Sequence, residues 1–250
     1  MLTDRLFLPY ELGSDERARL DRDGHLALPG LLTETARARL TESLARIPHD
    51  PTPEAKRVRE FAAEHDPYLA SLISHPDLLA LARAVLGPEI RFDHCVVLNR
   101  PAGDRGLHWH SHSYAEDRPE LGFLRIFFYV NGFEPDDGGL KVVPGSHLFR
   151  DPAIHADGDA ALREGWLRDR RHPATGAPLA IEALSAAPGT VLLMWTHAAH
   201  AVTARRPGSP PRHAVVYAYR NPGAASRSRW ISERFERQPP PGAEDLLPAG

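Results

Sequence analysis

The hydrophobic period of the chain changes once. From Thr33 to Ile47 the apolar positions Ala36, Leu40, Leu44 and Ile47 recur every three or four residues, with arginine and glutamate between them. That is a helix with one buried stripe, and Pro48 stops it. A second stripe, Leu78, Leu81, Ala82 and Val85 in DLLALARAVLG, predicts a helix capped by Asp77 and ended by Gly87 before Pro88. Further helical turns are expected from Glu60 to Ser74, interrupted at Pro67. Beyond Gly87 the period falls to two and strand-forming residues dominate. The expected strands are Ile90 to Asn99, Leu107 to Tyr114, Phe123 to Asn131, Leu140 to Val143, Thr190 to Thr196, Ala199 to Thr203 and Arg212 to Tyr219. Turns such as PDDGG and RRPGSPP separate several of them. Strands this short need closure or cover for their edges, so the fold expected is mainly β, a jelly-roll or cupin-like barrel braced by N-terminal helices.

The segment from His147 to Thr190 breaks the strand spacing and reads as a lid or binding loop docked by Trp166. The proline-rich QPPPGAEDLLPAG reads as mobile, so residues 1–238 are taken as one domain and 239–250 as a flexible tail.

Composition narrows the function without naming it. A chain of 250 residues, 42% apolar, can bury one sizeable core. Thirty basic against 33 acidic residues give a net charge of -3, which steers neither to nucleic acid nor to an anionic membrane. The single cysteine, Cys95, excludes an intramolecular disulfide and fits a reducing compartment. The N-terminus is acidic where a signal peptide is basic, and no apolar run approaches the roughly 18 residues of a membrane span. A cytoplasmic protein with a small-molecule partner is expected.

The candidate chemistry lies in LHWHSHSY. On a strand, residues i and i+2 leave the backbone on one side, so His110 and His112, joined by His200 from a neighbouring strand, can close on one face of a metal ion. His108 with His110 is the alternative pair, and imidazole alone does not choose among iron, zinc, nickel and copper. Arg212 starts the apolar strand RHAVVYAY, one hairpin-like turn, RPGSPP, beyond His200. A buried guanidinium needs an anion, and a dicarboxylate would supply one. Tyr114 is the next same-face position after His112, a candidate contact to cosubstrate or substrate or else a packing residue. Arg125, Phe127 and Tyr129 alternate with Leu124, Ile126 and Phe128; one set could line a pocket, or both could be core. Trp109 and Trp195 complete the candidate pocket, and His147 in PGSH reads as a structural turn residue.

RDGHLALPGLLTETARARLTESL, HPDLLALARAVLG, HWHSHSY, DDGGLKVVPGSH and the His200/Arg212 pair, in this order from about Leu20 to Asn221, resemble the phytanoyl-CoA dioxygenase (PhyH-like) family of Fe(II)/2-oxoglutarate-dependent oxygenases. The resemblance implies a double-stranded β-helix, Fe(II) on two histidines and an acidic residue, 2-oxoglutarate anchored by an arginine, and oxidation of a small organic substrate by O2. His110 and His200 take the two histidine positions and Arg212 the anchor position. His112 stands where the family carries Asp or Glu, giving an expected three-histidine centre, with a non-ligating His112 that leaves an open coordination position as the alternative. Asn99 falls where the family often has a polar cosubstrate contact. Two other readings stay open at this point: a three-histidine dioxygenase that acts on a chelating substrate without 2-oxoglutarate, and a metal-stabilised jelly-roll that binds a small acid without catalysis.

Overall fold

The computed structural model describes residues 4–48, 50, 52–223, 226–227 and 229–248. Among the described residues six helices precede the barrel: α1 (Ser14–Asp23), α2 (Glu34–Arg46), α3 (Pro53–Glu60), α4 (Ala62–His65), α5 (Pro67–Leu72) and α6 (Pro76–Leu86). A short strand, β1 (His25–Leu28), lies between the first two. The predicted stripe of α2 is buried at Ala36, Leu40 and Leu44. Full burial of a leucine contributes about 1.5–3 kcal/mol. Thr33 caps α2, its side chain accepting from the Ala36 N–H at 3.2 Å. Thr33→Ala should lower stability by about 1 kcal/mol, read as a shift in the urea midpoint; no shift would mean that solvent replaces the cap.

Asp77 does not cap α6. Pro76 fills the first turn, and the His75 ring accepts from the Asp77 N–H at 3.2 Å. The Asp77 carboxylate instead accepts from the backbone N–H groups of Leu6 and Phe7, tying the N-terminal segment to the helix layer. Pro67 opens α5, with Asp66 as its cap accepting from Tyr68 and Leu69.

The barrel strands are β2 (Arg91–Val97), β3 (Leu107–His110), β4 (Phe123–Tyr129), β5 (Leu140–Val142), β6 (His155–Ala156), β7 (Glu182–Ala183), β8 (Thr190–Trp195), β9 (His200–Val202) and β10 (Ala214–Arg220). Helix α7 (Asp159–Glu164) lies between β6 and β7, and α8 (Glu233–Arg237) follows β10. One sheet runs β1-β8-β4-β10-β2 and the other β6-β3-β9-β5-β7, with antiparallel pairing throughout. β9 and β10 therefore belong to different sheets. The turn RPGSPP crosses the barrel and closes no hairpin, contrary to its sequence reading.

Alternation along β4 divides two cores. Leu124, Ile126 and Phe128 join Leu40, Leu44 and Leu81 under the helices. Phe127 and Tyr129 face the second sheet and meet Leu140 and Val142. The expected lid segment is docked: the Trp166 indole N–H donates to Asp151 at 2.8 Å, and its ring lies edge-on to Phe149.

The described part of the expected tail, residues 239–248, is packed. Ala243, Leu246 and Leu247 are buried in the helix-side core. The Phe92 N–H, on the open edge of β2, donates to the Leu246 carbonyl at 2.7 Å, and Ser74 donates to the Pro241 carbonyl. Three apolar side chains and a free sheet edge hold a segment whose prolines preclude regular structure. No helix among the described residues is long and apolar enough to cross a membrane.

Candidate metal centre

His110 ends β3 and pairs in register with His200, which opens β9 in the same sheet. Their ring centroids are 4.2 Å apart. The Nδ1 of His110 is bonded to the His108 carbonyl at 2.8 Å, and that of His200 to the Ala198 carbonyl at 2.9 Å. A carbonyl only accepts, so each Nδ1 carries the proton and each Nε2 keeps its lone pair. His112 lies beyond the end of β3, so the same-face argument placed it on a strand that has already stopped. Loop contacts present it instead: Ser111 Oγ donates to the Asp151 carbonyl at 2.7 Å, and the His112 N–H donates to the Thr196 carbonyl at 3.3 Å. The His112 ring is 4.9 Å from that of His110 and 5.3 Å from that of His200, with its buried Nε2 unpartnered. One ligand nitrogen of each histidine lies within 4.8 Å of the other two.

The donor set fits a metal. Burial holds all three imidazoles below the ordinary histidine value, well below it for His112 and His200, with the Arg125 charge acting in the same direction. Near neutral pH the rings are unprotonated, as ligation requires.

The triad opens into a chamber of about 150 Å³ between the sheets. Val96, Phe127, Tyr129 and Val216 form its wall on one sheet, Leu140 and Val202 on the other. Arg212 enters it. Only 3% of Arg212 is exposed, its Nε and one Nη have no hydrogen-bond partner, and its guanidinium sits 5.7 Å from the Tyr129 and Phe133 ring centres. Burial pushes its pKa down to about 10, which leaves it charged. Its neighbour Arg205 is paired with Asp137 at 3.2 Å. Gly138 beside Asp137 has φ +71, and a Cβ there would lie 2.5 Å from the Arg205 side chain, so the DDGG turn needs glycine at this approach.

With the triad and Arg212, the candidates Arg125, Phe127 and Tyr129 line the chamber; Trp109, Tyr114, Asn99 and Trp195 do not. Trp109 packs under α7 with Val143 and Leu162 and donates to Asp159 at 2.8 Å, on the face of β3 opposite His110. Tyr114 is buried against Phe123 and donates to the Asn221 carbonyl at 3.2 Å. Asn99 donates to the Leu44 carbonyl at the end of α2. Trp195 borders a separate, more open groove of about 490 Å³ with His147 and His197, away from the triad. His108 is exposed and bonds the Asp157 carbonyl, so it offers no ligand pair with His110. His147 bonds the Asp21 carbonyl, a structural contact to α1. Sequence reasoning missed His94, Arg100 and Trp230, all of which line the chamber. The signal for the first two was present, since His94, Val96, Leu98 and Arg100 keep a period of two.

Residues 20–214 match the phytanoyl-CoA dioxygenase (PhyH) family. Curated relatives include the ectoine dioxygenases of Streptomyces coelicolor (26% identical over 156 residues, 56% of this chain and 52% of that protein) and Bordetella bronchiseptica (29% over 154 residues, 54% and 50%). The matches thus span about half the length of these relatives. Similar solved structures include HygX from Streptomyces hygroscopicus with nickel and 2-oxoglutarate bound (TM-score 0.65, 20% identity, 86% of this chain and 90% of that one). EctD from S. alaskensis with 2-oxoglutarate and 5-hydroxyectoine is another (TM-score 0.65, 22% identity, 84% and 76%). The fold they share with this chain is the double-stranded β-helix. The family match extends from α1 to the start of β10, the stretch that carries the histidine triad and Arg212, and the chain belongs to the phytanoyl-CoA dioxygenase family.

Proposed function

We propose that the chain is an iron(II)- and 2-oxoglutarate-dependent oxygenase of a small organic molecule, with His110, His112 and His200 as metal ligands and Arg212 as the anchor of the cosubstrate. One observation carries this reading: three lone-pair imidazoles and an unpartnered buried guanidinium open into the same chamber. The ligands reported with HygX and EctD support it. Iron(II) with 2-oxoglutarate and O2 would supply oxidation of an unactivated C–H bond, with hydroxylation as the default outcome. The histidines offer neutral nitrogens with no proton to displace. Arg212 offers a planar fork for the distal carboxylate, paired two-to-two. Phe127, Tyr129 and Val216 exclude water from the chamber and so strengthen that pairing.

The neutral donor set by itself would also serve a dioxygenase that binds its substrate directly to the metal, with Arg212 pairing the substrate's carboxylate. Anaerobic titration of 2-oxoglutarate into the iron(II) protein separates the two. The oxygenase reading expects a saturable metal-to-ligand charge-transfer band, then succinate under air. Substrate oxidation with neither band nor succinate would overturn it.

His112→Asp restores the family's carboxylate and makes the centre one charge more negative. Iron occupancy should persist, since a carboxylate is also a competent ligand. Affinity for the dianionic cosubstrate should fall about tenfold, roughly 1.4 kcal/mol. Metal analysis and the same titration read both; loss of iron from a folded variant would oppose the assigned tolerance at this position.

A further inference from the structure

The chamber holds a second unpartnered arginine that neither the metal nor the cosubstrate anchor explains. Arg125, on β4, is 6% exposed, and its Nε and one Nη have no hydrogen-bond partner. Among the described residues that line the chamber there is no aspartate or glutamate. The acid whose charge reaches Arg125 is Asp93, and Asp93 is already bound to Arg220 at 2.6 Å. Substituting histidine for the metal-binding carboxylate removes a negative charge from the same space. A buried guanidinium without a counter-ion is costly to keep, so the chamber as built lacks an anion.

Register gives that anion a position. Ala218 of β10 lies between Arg125 on β4 and His94 on β2, while Arg212 precedes the same strand and bridges to Arg100. The six steps from residue 212 to residue 218 span about 20 Å at roughly 3.3 Å per residue. The two arginines are therefore rooted at opposite ends of one wall. Phe123, two residues before Arg125 on β4, accepts from the Thr196 N–H at 3.0 Å, and the Thr196 carbonyl accepts from the His112 N–H at 3.3 Å, which puts Arg125 at the triad end. Beside it the Trp230 ring packs at a tilt against His94, centroids 4.9 Å apart, and the Phe123 ring centre lies 6.0 Å from the Arg125 guanidinium. This end thus combines a fixed cation with an aromatic surface.

Building on the oxygenase reading, we propose that Arg125 is the receptor for the substrate's carboxylate, and that the substrate is a small organic acid. Arg125 holds the acid group and the Trp230 side of the chamber covers the carbon skeleton, opposite the cosubstrate on Arg212. The competing role for Arg125 is a second contact to 2-oxoglutarate itself.

The test uses anaerobic protein loaded with iron(II) and 2-oxoglutarate. Monocarboxylic acids paired with their own primary amides, from butyrate and butyramide to indole-3-acetate and its amide, are titrated calorimetrically. At least one acid should bind about tenfold or more tighter than its amide, the scale of a charge-assisted contact. Arg125→Gln should erase that preference while the 2-oxoglutarate midpoint stays within about twofold, since a substrate contact is absent from the cosubstrate complex. Arg125→Lys, which keeps the charge and loses the fork, should retain part of it. Equal binding of every acid and its amide to the wild-type protein would overturn the proposal. So would a 2-oxoglutarate midpoint raised in Arg125→Gln as much as in an Arg212 variant. Failure of the wild-type protein to bind 2-oxoglutarate would instead sink the oxygenase reading; the acid and amide comparison on the iron(II) protein alone would still decide the role of Arg125.

Discussion

Arg212→Met should raise the 2-oxoglutarate midpoint by about a hundredfold or more, and should make the protein without cosubstrate more resistant to urea. Both effects come from one buried guanidinium with no protein acceptor on its Nε or one Nη. Removing one partner of a buried charge pair costs about 3–5 kcal/mol, and each 1.4 kcal/mol is a factor of ten. Without cosubstrate the balance reverses: the native arginine carries a desolvation cost that the flanking Tyr129 and Phe133 rings offset by roughly 0.5–2 kcal/mol. Methionine keeps most of the volume, so no cavity confounds the comparison. The charge-transfer titration reads the first effect and urea unfolding the second. A midpoint unchanged in the folded variant would remove Arg212 from the cosubstrate site.

Asp93→Asn should cost about 3–5 kcal/mol of stability, the range for breaking a buried ion pair. Asp93 and Arg220 are both fully enclosed, 2.6 Å apart, and Ser226 also donates to the aspartate. The Asp93 carbonyl accepts from the Trp230 N–H at 3.1 Å, so the pair also braces the segment that brings Trp230 to His94. Replacing both charged partners with apolar residues of similar size should cost much less than the single change, because the expensive state is the isolated charge. An urea midpoint within about 1 kcal/mol of wild type for Asp93→Asn would contradict this account.

Much of the site was legible because period-two alternation survives burial. It kept Phe127 and Tyr129 on one face, which the sequence left open as pocket or core and which turns to the second sheet, and it set His110 on the face where β3 meets His200 of β9. The same rule sends Trp109 to the face opposite His110, so counting that tryptophan in the pocket ignored the argument that located the histidine. His112 reached the triad by a route that alternation does not describe, a bend anchored on the Asp151 and Thr196 carbonyls. Asn99 was assigned by family analogy, and its contact with α2 depends on how the helix layer docks, which local pattern does not encode. The terminal segment misled for a related reason. Its prolines signal irregular backbone, while the anchoring of Leu246 and Leu247 depends on a sheet edge formed far away in sequence.

Among the described residues, neither sheet pairs two strands that follow one another along the chain. During synthesis β1 emerges long before β8 and β2 long before β10, so no hairpin can seed either sheet. Contacts this distant make for slow folding, and the apolar faces of α2 and α6 stay uncovered until the barrel closes. His200 is synthesised long after His110 and His112, so iron that met the nascent protein before then would find two of the three proposed ligands. Metal loading at the proposed centre would therefore be an event of the folded barrel.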